Sequence, residues 1–210
     1  MLRILIVDDH AVVREGLKRI LSEYPDKVAI GEVGDGAGAL TEVRNGEWDL
    51  VLLDINLPHR DGLDVLKQIK REQPGLSVLV LSIYPEDQYA LRVIKAGAAG
   101  YLTKESAPEL LIEAIHRVAG GHSYISPALV EKLAGNLRNP AGRMPHENLS
   151  DRELEVFGLI ASGKTVGQIA TQLSLSVNTV STYRARILEK TGLKSNAELM
   201  RYAVDHNLFR

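Results

Sequence analysis

Short apolar runs alternate with helical hydrophobic patterns through the first 120 residues of this 210-residue chain. After the first run and again after the third, apolar side chains recur at the three- and four-residue spacing of a helix face. A helix between successive strands favours parallel βαβ units over hairpins. The predicted strands are Leu2–Val7, Val28–Val33, Leu50–Leu53, Ser77–Leu81 and Gly100–Thr103, and a last helix is predicted at Pro108–Ala119.

Polar side chains follow four of these runs, at the point where each predicted strand ends. Asp8 and Asp9 follow the first run, and Asp54 follows the third. Ser82 follows the fourth run and Lys104 follows the fifth. Because ligands of an open parallel sheet bind outside the carboxyl ends of its strands, we expect these side chains to meet at one edge.

Carboxylates, a hydroxyl and an ammonium at one sheet edge suit phosphoryl chemistry. Mg²⁺ takes one or two carboxylates together with waters and phosphate oxygens, so Asp8 and Asp9 are candidate metal ligands. Asp54 is then left to attack phosphorus and form an aspartyl phosphate. Ser82 and Lys104 could hold the phosphoryl oxygens and neutralise their charge. Taken singly, each acid could equally well end a strand or cap a helix.

The composition is that of a globular protein, with 45% hydrophobic and 25% charged residues. The absence of cysteine excludes a disulfide framework and a thiolate metal site. The chain opens on a predicted strand rather than on a charged and then apolar leader, and no apolar stretch approaches the roughly 20 residues that span a bilayer. We therefore expect a cytoplasmic protein without a membrane partner.

A second, helical region is predicted to begin at Ser150. Ser150 and Glu153 have the spacing of a capping box, in which hydroxyl and carboxylate cap the first turn reciprocally. Four apolar faces at helical spacing follow, a pattern typical of a helix-turn-helix domain. Glycine and proline punctuate the segment before it, which favours a linker. The predicted division is residues 1–120, a linker at 121–148, and 149–210.

The third helix of this region is the candidate DNA-reading helix. Ser176 is placed to cap it, and Val180 and Ile187 lie on its inner face. The opposite face carries small polar groups and an arginine, which can contact base edges and phosphates in a major groove: Ser181, Thr182, Ala185 and Arg186, with Arg184 and Lys190 as flanking phosphate contacts. Residues 143–210 hold 9 basic against 7 acidic side chains, while residues 1–142 hold 16 against 20, which weakly favours phosphate contact by the second region.

Four segments in order resemble the receiver domain of bacterial response regulators, and the chain as a whole is similar to the NarL/FixJ class. The segments are Ile6-Val7-Asp8-Asp9-His10, Leu52-Leu53-Asp54-Ile55-Asn56-Leu57-Pro58, Val80-Leu81-Ser82 and Gly97-Ala98-Ala99-Gly100-Tyr101-Leu102-Thr103-Lys104. Leu149–Val156 and Thr179–Ile187 resemble the LuxR-type helix-turn-helix. Tyr183, Gln168 and Thr191 depart from it, since the family more usually has His, Glu and Leu there.

The resemblance implies an α/β architecture, a five-stranded parallel (βα)5 flavodoxin-like receiver domain, followed by a small all-α four-helix helix-turn-helix domain. It implies that Asp54 is the phospho-acceptor, that Ser82 and Lys104 read the phosphoryl group, and that Tyr101 is the switch aromatic. The implied Mg²⁺ ligands are Asp8, Asp9, Asp54 and the backbone carbonyl of Asn56. The implied DNA contacts are Thr179, Ser181, Thr182, Arg184, Arg186 and Lys190.

The leading hypothesis is a non-enzymatic transcription factor controlled by phosphorylation. A sensor histidine kinase would donate the phosphoryl group to Asp54, and the changed receiver surface would alter binding to double-stranded promoter DNA. Because one recognition helix reads few base pairs, we expect a homodimer, promoted by phosphorylation, on two half-sites.

Other functions fit part of the pattern. A phosphatase of the dehalogenase type also uses an aspartate nucleophile, but it needs a second acid two residues later, where this chain has Asn56. Constitutive DNA binding would leave the acidic set unused at a cost in charge repulsion. The glycines at 31, 34, 36 and 38 do not form G-x-G-x-x-G after the first strand, which argues against a dinucleotide site.

Overall fold

The structure, a computed structural model, describes residues 1–58, 60–84, 86–127, 129–131, 144–206 and 208–209. The chain divides into two compact units, Met1–Val130 and Glu131–Arg210. Much of the predicted linker, residues 132–143, lies outside the described residues. No helix in the described ranges is long and apolar enough to cross a membrane.

In the first unit, strands alternate with helices as predicted. They are β1 (Leu2–Val7), α1 (Ala11–Leu21), β2 (Val28–Val33), α2 (Gly36–Asn45), β3 (Leu50–Asp54), α3 (Gly62–Glu72), β4 (Ser77–Ser82), α4 (Glu86–Lys95), β5 (Gly100–Thr103) and α5 (Pro108–Ala119). All neighbouring strands pair in parallel, in the order β2-β1-β3-β4-β5. The (βα)5 flavodoxin-like prediction is confirmed, and β3 and β4 each extend one residue further than predicted.

The central strands β3 and β4 are buried on both faces, which explains why they are apolar runs rather than alternating patterns. Every residue of β3 is buried. Ile4 and Leu52 lie in a core cluster with Leu17 of α1 and Ile115 of α5, so these two helices share one face of the sheet. Close packing of this kind keeps the strand ends in fixed register, and the polar residues that follow the strands are therefore held in place.

The segment that follows α5 covers the β5 edge of the sheet. The Tyr124 N–H donates to the Ala99 carbonyl oxygen over 2.8 Å, and Tyr124 forms a parallel bridge with Gly100. A Cβ at Gly100 would lie 2.8 Å from the Tyr124 carbonyl oxygen, so glycine permits this close approach. A covered edge is protected from pairing with another chain.

The second unit is helical. After a 3₁₀ helix at Pro145–Asn148 come α6 (Asp151–Ala161), α7 (Val166–Gln172), α8 (Val177–Thr191) and α9 (Asn196–Asp205). The predicted capping box is confirmed, since Ser150 Oγ accepts from the Glu153 N–H and Glu153 Oε2 accepts from the Ser150 N–H. The predicted cap of α8 is confirmed as well, because Ser176 Oγ accepts from the Thr179 N–H.

The core of the second unit forms where the helical patterns predict it. Phe157, Val180 and Ile187 are fully buried, as is Leu199 of α9. Burying this many apolar groups offsets the chain entropy that so small a unit loses on folding. The face of α8 opposite Val180 and Ile187 is consequently free to carry polar residues.

Candidate functional site

Three acids and a lysine meet at the carboxyl edge of the sheet. Asp8 and Asp54 are each 1% exposed. Lys104 Nζ lies 2.6 Å from Asp8 Oδ2 and 2.8 Å from Asp54 Oδ2, and so bridges the ends of β1 and β3. Asp9 is more exposed, and its Oδ1 lies 2.7 Å from His10 Nδ1.

Backbone N–H groups orient the two buried carboxylates. The His10 N–H donates to Asp8 Oδ1 over 2.9 Å, and the Asn56 N–H donates to Asp54 Oδ1 over 3.0 Å. In both cases an aspartate accepts from the N–H two residues on, which is the Asx-turn that Asp favours at strand ends. Each carboxylate is thereby left with its second oxygen directed at Lys104.

Burial and the ion pairs set the charges of this site. Burial raises the pKa of Asp54, although the Lys104 ammonium and the Asn56 N–H oppose that effect. Burial would lower the pKa of Lys104, but the carboxylates of Asp54 and Asp8 outweigh it and raise that pKa. Lys104 is therefore an ammonium at neutral pH, available to neutralise added negative charge.

The acidic edge also has the donors of a cation site. Asp8, Asp9, His10 and Asp54 each offer one ligand atom, all within 4.8 Å of one another. Asp8 Oδ2 is buried, and Lys104 Nζ contacts it at 2.6 Å. Carboxylate oxygens are the donors that Mg²⁺ prefers, so the residues present fit a hard divalent cation. The sequence pattern alone indicates no role for His10.

Ser82 and Tyr101 both contact the loop between β4 and α4. Ser82 is fully buried, and its Oγ accepts from the Tyr84 N–H over 3.1 Å. The Tyr101 hydroxyl donates to the Tyr84 carbonyl oxygen over 2.7 Å. Burial raises the pKa of Tyr101, so its hydroxyl stays a neutral donor. One peptide segment of this loop is therefore fixed by two side chains from neighbouring strands.

The predicted DNA face of α8 is exposed at Ser181, Thr182 and Arg186. Thr179 Oγ1 lies 2.7 Å from Ser176 Oγ, at the helix start. The flanking cations instead contact their own unit. Arg184 Nε donates to Asn196 Oδ1 over 2.5 Å, and Lys190 Nζ donates to Glu153 Oε2 over 2.6 Å.

Two exposed residues at the start of α8 are absent from the predicted DNA contacts. Val177 is 54% exposed, and Asn178 beside it is also exposed. The first turn of a recognition helix usually reads base edges, where Asn suits adenine and an apolar group suits the thymine methyl. Both stand directly after the Ser176 cap, a position that is evident from the sequence.

Glu153 links the cap of α6 to α8, and this link can be tested. Burial alone would raise the pKa of Glu153, but the bonds from Lys190 and Ser150 outweigh it and lower that pKa. A lowered carboxyl pKa gives stability that is present above the ordinary glutamate range and is lost as the pH falls. We expect Glu153→Ala to destabilise α6 by about 0.5–2 kcal/mol, the range for a lost helix cap.

Hydrogen exchange of residues 151–161, read by mass spectrometry, checks this prediction. Glu155→Ala is the matched control, since Glu155 also pairs on α6, with Arg152 at 2.7 Å. Exchange should be faster in Glu153→Ala than in the control at pH 7, and the difference should shrink below pH 4. Equal exchange in the two variants at pH 7 would contradict the prediction.

Each of the two units contains a segment that matches a known protein family. Residues 4–116 match the response regulator receiver domain, and residues 147–203 match the luxR family of bacterial regulatory proteins. The chain thus belongs to the response regulators that join a receiver domain to a LuxR-type helix-turn-helix domain.

Individual relatives extend this assignment over the whole length. Response regulator GacA of Pseudomonas aeruginosa is 37% identical over 99% of this chain and 98% of its own length. Response regulator UvrY of Escherichia coli is 34% identical over 99% and 96%. RcsB from Salmonella enterica serovar Typhimurium, bound to promoter rprA with the phosphomimetic BeF3⁻, has a TM-score of 0.68 at 27% identity over 96% and 98%. The NarL/FixJ prediction is confirmed, and the chain is a phosphorylation-controlled regulator of transcription.

Proposed function

We propose that Asp54 accepts the phosphoryl group from the phosphohistidine of a sensor kinase. The observation that carries this proposal is the buried Asp54 carboxylate, held at Oδ1 by the Asn56 N–H and at Oδ2 by Lys104. An Asp54 oxygen forms the new bond to phosphorus as the phosphorus–nitrogen bond breaks, and the imidazole leaves with that electron pair. Lys104 then turns its ammonium to a phosphoryl oxygen.

A divalent cation completes this proposal. Asp8, Asp9, Asp54 and the backbone carbonyl of Asn56 would hold Mg²⁺, and Lys104 would have to release Asp8 Oδ2 for that oxygen to serve as a ligand. The bound ion supplies positive charge to the phosphoryl oxygens during transfer. The orienting N–H groups of His10 and Asn56 keep both carboxylates in place without the ion.

We propose that the phosphoryl group is kept as a signal rather than turned over as a substrate. Asn56 stands where a dehalogenase-type phosphatase needs a general acid, and an amide cannot protonate a leaving group. This supports a switch without an enzymatic activity of its own. The DNA-binding domain separately supports a cytoplasmic location.

The proposed switch acts through the β4–α4 loop. A phosphoryl group adds about −2 charge and strong acceptor oxygens, so it can recruit the Ser82 hydroxyl. Ser82 would turn toward the new oxygen, and its bond from the Tyr84 N–H would be lost. Tyr101 holds Tyr84 through its carbonyl oxygen. The loop would therefore have two states: one in which both Ser82 and Tyr101 bind Tyr84, and one in which Ser82 has let it go.

The output is proposed to be a homodimer that reads two half-sites of promoter DNA. The exposed polar face of α8 supports this, with Val177 and Asn178 as base contacts in addition to Ser181 and Thr182. Thr179 and Arg186 are proposed as further contacts. To contact a DNA phosphate, Arg184 would have to leave Asn196 and Lys190 would have to leave Glu153, or each would have to bind the phosphate and its present partner together.

Arg186→Ala should weaken DNA binding by about 1–3 kcal/mol if its guanidinium binds a guanine. If it binds a phosphate instead, the slope of the logarithm of affinity against the logarithm of salt concentration should fall by about one. The measurement is a titration at several salt concentrations, on a duplex that the wild type selects from a random library. Arg201→Ala is the matched control, since Arg201 is 84% exposed on α9. An affinity and salt slope equal to those of the control would remove Arg186 from the interface.

A further inference from the structure

Arg14 in the first turn of α1 lies directly behind the Asp8–Asp9 turn. Its Nη1 donates to the Asp8 carbonyl oxygen over 2.8 Å, and its Nε donates to Glu32 Oε2 over 3.0 Å. The Arg14 side chain is only 19% exposed. A planar guanidinium can satisfy two acceptors in fixed directions, which a lysine ammonium cannot do with the same geometry.

Glu32 keeps this arginine in place. It lies on β2 opposite Ile6, one residue before the end of the paired ladder. Its other carboxylate oxygen accepts from Lys18 Nζ over 3.1 Å. The bonds from Arg14 and Lys18 lower the pKa of Glu32, so it remains anionic and offsets the charge of Arg14 near the acidic edge.

The carbonyl that Arg14 holds belongs to the peptide joining Asp8 to Asp9. On the other side of Asp8, the N–H donates to the Val33 carbonyl oxygen over 3.2 Å. Rotation of the Asp8–Asp9 peptide would change the angle between the two carboxylates, because one precedes it and the other follows it. Arg14 therefore opposes a backbone rotation that would separate these acids.

We propose that Arg14 is a positioning residue for the divalent cation, holding the Asp8–Asp9 peptide so that both carboxylates face the same ion. This inference rests on the proposed function, since it takes Asp8 and Asp9 as the cation's ligands. Arg14 does not touch the ion. It acts as the outer-shell partner of a ligand-bearing turn, and loss of such partners typically weakens metal binding about 10–100-fold.

An ordinary surface ion pair would not have this effect, and the chain supplies one for comparison. Arg44 of α2 contacts both carboxylate oxygens of Glu72 in α3, at 2.8 and 2.7 Å. That pair matches Arg14–Glu32 in chemistry, but it involves no acid of the sheet edge. Exposed pairs of this kind contribute little to stability, because solvent screens them.

The test is calorimetric titration of Mg²⁺ into the full chain. We expect Arg14→Ala to raise the Kd about 10-fold, Arg14→Lys to raise it less, and Arg44→Ala to leave it unchanged. Labelling by acetyl phosphate gives a second readout. The Mg²⁺ concentration for half-maximal labelling should rise by the same factor in Arg14→Ala, while the plateau at saturating Mg²⁺ stays at the wild-type level.

A wild-type Kd in folded Arg14→Ala would overturn the inference, as would a lowered plateau with an unchanged half-maximal Mg²⁺ concentration. If Arg14→Ala does not fold, Glu32→Ala decides, because it removes the anchor of Arg14 and, beyond that, the bond from Lys18. A raised Kd there supports the inference and an unchanged Kd overturns it. Failure of the wild type to bind Mg²⁺ or to be labelled would overturn the proposed function as a whole, whereas the other outcomes leave it standing.

Discussion

Asp54→Asn should abolish phosphoryl labelling of the chain. The amide that replaces the carboxylate is a far weaker nucleophile and cannot form the acyl phosphate, while its volume and its bond from the Asn56 N–H are retained. Intact mass with acetyl phosphate and Mg²⁺ should show one adduct on the wild type and none on the variant. Asp35→Asn is the matched control, because Asp35 caps α2 by accepting from the Gly38 N–H and is not one of the acids grouped around Asp54, and Asn caps helices as well as Asp.

The loss should not reflect unfolding. Since burial raises the pKa of Asp54, the ionised carboxylate at neutral pH lowers the stability of the folded state relative to the protonated form. A neutral amide removes that cost, so we expect the free energy of unfolding to be equal or higher in Asp54→Asn. The fluorescence of Trp48, the single tryptophan of the chain, reports this for the receiver. Stoichiometric labelling of the variant would show that the phospho-acceptor is a residue other than Asp54.

Strand positions could be predicted closely because the central strands are buried on both faces. An apolar run such as Leu50–Leu53, followed by apolar residues at helical spacing, fits few structures other than a buried strand that precedes a helix. The added residues of β3 and β4, Asp54 and Ser82, are polar, so hydrophobicity could not assign them to a strand. Their ladder partners in the neighbouring strands make them extended.

Two of the three departures from the LuxR pattern, Gln168 and Thr191, have local explanations that composition could not provide. Gln168 forms a second capping box with Thr165, in which its side-chain oxygen accepts from the Thr165 N–H over 2.8 Å. Buried Thr191 donates its hydroxyl to the Ile187 carbonyl oxygen over 2.7 Å, so the hydroxyl of this threonine has a hydrogen-bond partner. Both residues therefore fit the helices without changing the fold.

The convergence of acids at one edge could be predicted from strand direction, but the pairings among them could not. Strand order decides which carboxylates become neighbours, and the sequence alone does not state that β1 lies beside β3. Lys104 bridges Asp8 and Asp54 because β4 separates β5 from β3, and a long side chain is needed to reach across. The role of Arg14 likewise depends on the β1–β2 pairing that brings Glu32 beside it.

Lys104→Ala should destabilise the receiver in the absence of divalent cations. Asp8 and Asp54 are each 1% exposed, and Lys104 is the cation that contacts both of them. Removing one partner of a buried pair leaves an uncompensated charge at a cost of about 3–5 kcal/mol. Since the pKa of Lys104 is raised, its charge contributes fully at neutral pH and is lost only as the pH rises through that raised value.

Urea unfolding followed by Trp48 fluorescence, at pH 7.5 with and without Mg²⁺, measures the effect. The exposed Lys95→Ala serves as the control for loss of one lysine from the same unit. Saturating Mg²⁺ should restore much of the lost stability in Lys104→Ala, because a ligand that binds only the folded state stabilises it in proportion to ln(1 + [L]/Kd). Mg²⁺ should also bind this variant more tightly than the wild type, since the ion no longer competes with an ammonium for Asp8 Oδ2. A midpoint equal to that of Lys95→Ala, insensitive to Mg²⁺, would mean that the two acids are not charged neighbours in the folded protein.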